Sequence, residues 1–410
     1  MNRPAARRTN YAGAVAFASI GHTSIHMFTA FYFVIVLGIE TDWQLPYPDL
    51  IELWTLGALL VGLAALPAGW LADRWSATGM LVVFFVGLGI SSVMAALARS
   101  SGELMMALSC LGLFAAIYHP VGIPWLVRNT PPASRGKALG LNGAFGGLGA
   151  ALAAVIAGLL VEYYDWRTAF MVPGIIAIGI GLVLAGCVFK GWVGDQPGAM
   201  PTDDTATSGN PLQLFALLLA AMVIGGLIYH TTQIGLPRLF LERASGLFSS
   251  GIAGIGIAVG VVYTLAGITQ VAGGHLADKL PLKSIYLGGY LLQVPLLILA
   301  AVAGGIPLLL VAVLMVAINT GILPAENLLL AVNTPTRRHG MAFGLKFVLT
   351  FGLGPVAVQF IARATDGSGG LAMVFGVLAA CGLLGVGLVY WLPTDSTTGR
   401  ATSPSKTLRH

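Results

Sequence analysis

"NTPPASRGKALGL", Asn129 to Leu141, returns 204 residues later as "NTPTRRHGMAFGL", Asn333 to Leu345, with seven identities in 13 ungapped positions. Two shorter signals recur at almost the same offset. "LADR" (Leu71 to Arg74) reappears as "LADK" (Leu276 to Lys279) 205 residues on, and Pro120 matches Pro324 at 204. Three coincidences at nearly one spacing define an internal repeat that divides the chain into two halves.

Composition says what kind of halves these are. Of 410 residues, 57% are hydrophobic and 9% charged, and the mean hydropathy is +0.86. A soluble domain carries about 25% charged residues, so this chain has far too little charge to cover its apolar surface in water. An all-α integral membrane protein follows, and the 55 glycines agree, because glycine is commoner in membrane helices than in soluble ones. The net charge of +5 is spread along the chain, so no basic patch for nucleic acid is formed. Cys110, Cys187 and Cys381 are far apart in apolar runs. They offer neither a disulfide framework nor a metal spacing.

A span needs about 20 apolar residues. Twelve such runs are predicted, at 11–38, 50–72, 79–98, 103–128, 138–161, 168–190, 212–237, 249–272, 284–303, 305–330, 341–362 and 371–392. The basic "MNRPAARRTN" leads into a first run too long for a cleaved signal peptide. The layout gives a six-helix half over 1–190, a linker over 191–211, a second half over 212–392 and a flexible tail over 393–410. Fifteen Lys and Arg fall on the side of both termini and five on the other, with Lys346 inside a span. The positive-inside rule then places both termini in the cytoplasm.

Two six-span halves related by an axis along the membrane normal are a transporter pattern, with the site near the midplane between them. The loop signals make the resemblance specific. "GWLADR" (Gly69 to Arg74) after the second span, its repeat "GGHLADK" (Gly273 to Lys279) after the eighth, "RGKALG" opening the fifth and "DWRTAF" opening the sixth resemble the major facilitator superfamily. Within it, "SIGHTSIHMF" (Ser19 to Phe28) and "AAIYHPVG" (Ala115 to Gly122) look like the fosmidomycin-resistance-type branch. Two departures stand out. Val121 follows the His-Pro where that branch usually has an acidic residue, and "WSATGM" replaces the usual basic run after the first loop signal. The resemblance implies that spans one, four, seven and ten line a central cavity. It also implies that Gly69, Asp73, Arg74, Asp278 and Lys279 belong to the cytoplasmic gate. There, an Asp beside a neighbouring helix N-terminus is favoured by the helix dipole.

An ionisable residue inside a span is a functional candidate by default. His22 and His26 lie in span one, His119 in span four, His230 in span seven, Glu326 in span ten and Lys346 in span eleven. His22 and His26 are i and i+4 and share a helix face, which suggests a metal pair at first sight. The repeat separates them: His26 is equivalent to His230, whereas His22 matches Gly226. His26 and His230 are therefore expected to face each other across the cavity and to bind solute with His119, Tyr118, Tyr229 and Lys346. His22 and Glu326 are assigned to proton handling, since imidazole titrates near neutral pH. Glu326 and Lys346 sit roughly 10 Å inside the cytoplasmic face by helical rise. They are expected to pair there, either as a packing device or as a switch. The Gly-rich fifth span, "GLNGAFGGLGAALAAVIAG" (Gly140 to Gly158), reads as a close-packing helix.

The function expected is secondary active transport of a small polar or anionic solute by alternating access, coupled to protons and in the efflux direction. The setting is a bacterial-type inner membrane, the active unit a monomer, and no cofactor or resident metal is expected. A transition-metal or metal-chelate transporter is the second reading, because imidazole suits such metals. A membrane enzyme is disfavoured: "HTSIH" lacks the Glu of the zinc-protease helix. A non-transporting sensor on the same fold predicts a missing path, against the polar residues kept on the cavity spans.

Overall fold

The computed structural model describes residues 11–131, 134–196, 211–248, 251–334, 339–367 and 369–392, and these are almost entirely helical. Eleven helices are long and apolar enough to cross a membrane, and one bent pair completes twelve. In the first half the spans are Tyr11–Trp43, the pair Tyr47–Leu63 and Ala65–Arg74, Ala77–Leu97, Ser101–Arg128, Lys137–Tyr163 and Trp166–Phe189. In the second they are Gln213–Leu247, Gly251–Ala277, Leu282–Val302, Gly305–Val332, Gly344–Asp366 and Gly370–Tyr390. They are numbered one to twelve below. Twelve crossings put residues 11 and 392 at one end of the bundle, called the terminal end. The first span runs five residues beyond the predicted 11–38. The expected linker falls mostly on 197–210 and the tail on 393–410, outside the described residues.

Prolines decide where the spans break. Helix stops between Ala115 and Tyr118 in span four, at Ile322 in span ten, at Leu353 in span eleven and at Ala64 in span two. Each break lies two to four residues before a proline: Pro120, Pro324, Pro355 and Pro67. A proline has no N–H and its ring clashes with the carbonyl four residues earlier. The helix of span one is interrupted at Phe31 without a proline. Thr29 Oγ1 donates to the Ile25 carbonyl at 2.8 Å just before it, a back-bond that tends to bend helices. Caps fix the span starts. Ser76 Oγ accepts from Gly79 N–H at 2.8 Å. Asp165 accepts from Thr168 N–H at 2.6 Å, and that bond holds the Asp165 carboxyl below the usual carboxylate range.

The halves meet along spans five and eight and along spans two and eleven. Without water, helix association relies on packing of small residues. Gly158 is one such point: a Cβ there would stand 3.0 Å from the Gly256 Cα. Among the described residues three polar links also join the halves, all at the end opposite the termini. Arg238 pairs with Glu40 at 2.6 Å. Gln359 Nε2 donates to Thr55 Oγ1 at 3.0 Å. Ile252 N–H, at the start of span eight, donates to Glu162 at 2.8 Å. Gly251 precedes it at φ +52°, and a Cβ there would press on the same carboxylate at 2.6 Å.

Candidate functional site

Between the halves lies a cavity of about 300 Å³ lined by His22, His26, His119, His230, Glu326 and Lys346. That volume matches the lower range of small-molecule sites. Of these six side chains, all but Lys346 come from spans one, four, seven and ten, and Tyr263 of span eight also lines the space. A smaller pocket of about 50 Å³ lies beside it, sharing His26, His119, Tyr229, His230 and Phe351 and lined also by Phe33 and Trp54. These shared side chains form the layer between the two spaces.

The histidines do not divide as the repeat suggests. His26 Nε2 lies 3.2 Å from His22 Nε2. His119 joins them, with ring centroids 5.3 Å from His22 and 5.6 Å from His26. His22 and His26 are therefore not separated: three imidazoles from spans one and four make one cluster. His230 lines the same cavity, but its ring meets Phe351 at 6.1 Å, and that Phe351 ring stacks on His119 at 5.1 Å. The equivalence of His26 and His230 thus brings them to one chamber, with Phe351 packed against His119 and His230.

Room for the cluster is made by span five. A Cβ on Gly146 would stand 2.7 Å from His22 Nε2, and one on Gly149 would stand 2.9 Å from the His26 Cβ. Part of the glycine-rich pattern that reads as general packing is therefore space reserved for two imidazoles. The Asn142 carbonyl accepts from His22 Nδ1–H at 2.8 Å. Its side-chain Nδ2 donates to the Tyr118 hydroxyl at 2.7 Å, and that hydroxyl donates to the Ala18 carbonyl at 2.6 Å. This corrects the expectation for Tyr118. Its side chain is fully buried, its hydroxyl is used twice, and it does not line the cavity. It fixes spans one, four and five to one another. Tyr229 does line the cavity, and its hydroxyl accepts from Gln233 at 3.3 Å.

The second constellation lies nearer the terminal end. Lys346 Nζ pairs with Glu326 Oε1 at 2.6 Å, as expected of two charges inside the bundle. They are 7% and 3% exposed, so water screens them little. Each has further partners. Tyr286 donates its hydroxyl to Glu326 Oε2 at 2.9 Å, and Lys346 Nζ donates to Asn327 Oδ1 at 2.5 Å. Thr350 donates to the Lys346 carbonyl. Removing one member of such a pair costs about 3–5 kcal/mol, because it strands the other charge.

At the terminal end, Asp73, Arg74, Asp278 and Lys279 are exposed, and Arg74 lies over the Trp70 ring at 4.1 Å. Gly69 packs on Pro120, where a Cβ would reach the proline Cβ at 3.3 Å. The loop signal after span two therefore touches the break in span four. Among the described residues Asp195 is a carboxylate that sits on a helix N-terminus there. It accepts from Thr78 N–H at 2.9 Å, Thr78 Oγ1 at 2.7 Å and Ser76 Oγ at 2.7 Å. Asp195 lies past span six in a polar stretch with no motif, so the sequence carried no signal for it. Phe351, Tyr286 and Asn327 were also invisible, being ordinary residues until a fold places them.

A profile of the Major Facilitator Superfamily matches residues 18–265, more than half of the chain. The chain belongs to that superfamily, and its fold is that of membrane transporters. The puromycin resistance protein pur8 of Streptomyces alboniger is 36% identical over 132 residues, 32% of this chain and 24% of that protein. The chain thus spans about a quarter of that relative. The multidrug resistance protein MdtG of Yersinia enterocolitica is 25% identical over 334 residues, 79% of this chain and 78% of that one. Among solved structures, a bacterial homologue of the human lysosomal transporter Spinster, in an inward-facing and occupied conformation, superposes with TM-score 0.73. It is 15% identical, with 93% of this chain and 94% of that chain covered.

Proposed function

We propose that the chain is a proton-coupled secondary transporter that moves a small polar or anionic solute by alternating access. One observation carries this reading: a buried Glu326–Lys346 ion pair shares a single inter-half cavity with four histidines. The lining has one carboxylate, itself engaged by a lysine, so the cavity suits an anion better than a cation. An anionic solute competes with Glu326 for Lys346. The coupled proton is assigned to Glu326, the carboxylate that the solute displaces from Lys346. Solute and proton binding are thereby linked at one pair of residues. His26, His119, His230 and Tyr229 contribute polar contacts to the solute, and His22 supports proton handling.

The relatives named for drug resistance favour efflux, and so does the resemblance of the first and fourth spans to the fosmidomycin-resistance-type branch. The ion pair by itself binds proton and anion together and so favours symport, the uptake direction under an inward proton gradient; the efflux reading rests on the relatives and the resemblance alone. The charge bias of the loops puts both termini in the cytoplasm of a bacterial-type inner membrane, with Asp73 and Asp278 at the gate on that side and the monomer as the working unit. Proteoliposomes carrying an internal pH dye test the reading. They are given a phosphonate drug of the fosmidomycin type, a small dicarboxylate or puromycin under gradients of either polarity. Proton movement that follows an anionic solute and disappears in Glu326→Gln is expected. Solute movement indifferent to the proton gradient would sink the coupling, and a preference for puromycin would sink the anion assignment.

A further inference from the structure

We propose that His22, His26 and His119 form a binding site for a single first-row transition-metal cation of the Zn²⁺ or Co²⁺ type, with an open coordination position facing the cavity. One nitrogen from each of the three rings lies within 4.8 Å of the other two. The tightest pair, His22 Nε2 and His26 Nε2, is 3.2 Å apart. Two nitrogens on a tetrahedral zinc ion at about 2.0–2.1 Å stand about 3.3–3.4 Å from each other, so that pair is already spaced for one metal. His119 closes the remaining gap by at most about 1.5 Å, a side-chain rotation.

Protonation follows from the neighbours. The Asn142 carbonyl only accepts, so His22 carries its proton on Nδ1 and directs the Nε2 lone pair at His26. Metal-binding histidines usually have this second contact, which fixes tautomer and ring orientation. Without metal, His26 fills the gap with its own Nε2–H. With metal, His26 holds that proton on Nδ1 and both Nε2 lone pairs converge on the cation. The glycines behind the rings at 146 and 149 keep the two imidazoles seated side by side. A bland alternative exists, namely that the contact only ties span one to span five. That role needs one histidine, whereas the structure brings three together on the cavity side.

Charge extends the inference. Three neutral imidazoles do not offset a divalent cation, and Glu326 is already held by Lys346. An isolated charge in such a site is costly, so the open position takes an anionic oxygen donor from the cavity. The site is thus one for a metal together with its anion. Binding is measured on purified protein without any gradient, so its failure leaves the transport reading standing, and a failure of transport leaves this one standing.

The experiment titrates Co²⁺ into metal-stripped full-length protein in detergent and reads the visible absorption, which is intense for tetrahedral and weak for octahedral cobalt. One bound Co²⁺ with a tetrahedral band is expected, displaced by Zn²⁺. The band is lost in His26→Ala and in His119→Gln and kept in His230→Ala. Thermal melts and gel filtration certify that each variant is folded. Acetate added at saturating Co²⁺ is expected to shift the band. A folded wild type that binds no Co²⁺, or a band that survives in His119→Gln, overturns the site. A band indifferent to acetate overturns its anionic fourth ligand.

Discussion

Asn142 and Lys346 occupy equivalent positions in the two halves, and each ties its span to the span before it by a different bond. In the first half Asn142 holds the Tyr118 hydroxyl at 2.7 Å, a bond between neutral groups. In the second half Lys346 holds Glu326 at 2.6 Å, a bond between full charges. The scaffold is repeated and the chemistry is not. A neutral tie stays made whether or not a proton or an anion is present. An ionic tie inside the bundle is stable only while both charges are intact, so a proton or a competing anion opens it. The first half thus holds its spans and its imidazoles in place, and the second half carries the element that can respond.

The largest effect should come from breaking the responsive tie on one side. Lys346→Ala is expected to cost about 3–5 kcal/mol, because Glu326 is left buried without its cation. A thermal melt in detergent reads this directly. The double replacement Glu326→Leu with Lys346→Met should recover most of the lost stability while leaving transport dead. Full transport in the double variant would show that the pair is only a packing device.

Next in size is the seat of the imidazoles. Gly146→Ala places a methyl group against the His22 ring, and overpacking of this kind costs about 1–3 kcal/mol. The matching position in the second half is Thr350, and Thr350→Val there adds no bulk against a ring and gives up only the hydroxyl's back-bond to the Lys346 carbonyl, so its melt should move by less. Equal shifts for the two would remove the distinction between a built cluster and an ordinary helix contact.

The neutral tie offers a smaller test. Asn142→Leu leaves Tyr118 with its bond to Ala18 and removes one hydrogen bond, a loss of about 1 kcal/mol. Asn142→Lys would set a cation beside Tyr118 with no carboxylate near, because the position matching Glu326 is Gly122. That variant is expected to fall well below Asn142→Leu in stability. If it is equally stable, the first half can carry charge too, and the contrast between the halves fails.

The smallest effect is expected at the far end. Arg238 and Glu40 are about a fifth to a quarter exposed, and pairs of that kind are worth about 0–1 kcal/mol. Glu40→Gln should barely move the melting temperature. It should still shift the balance of conformations, because the pair joins the halves only while that end is closed. Cysteines placed at Thr55 and Gln359 and crosslinked with a short reagent would report it, with a lower yield in Glu40→Gln than in its absence. Unchanged crosslinking would mean that spans two and eleven hold this end shut without the ion pair.

The sequence by itself determined the membrane class, the twelve spans and their halves. Each rests on a signal local in the chain or repeated along it at nearly one offset: apolar run length, loop charge and the spacing of the repeat. It also determined that Glu326 must find a partner, because an unpaired charge in hydrocarbon is too costly to keep. Only the tertiary structure decided which polar residues share a space. The repeat matched His26 to His230 by position, yet the imidazoles packed on His26 are His22 and His119, seated beside the helix break before Pro120 and the room at Gly146. Tyr118 and His119 are neighbours in sequence, but a helix turns about 100° per residue. One therefore points into the seam between spans and the other into the cavity. Asp195 reaches the start of span three from the far side of three more spans. Such pairings depend on how whole helices pack, and no stretch of sequence contains that information locally.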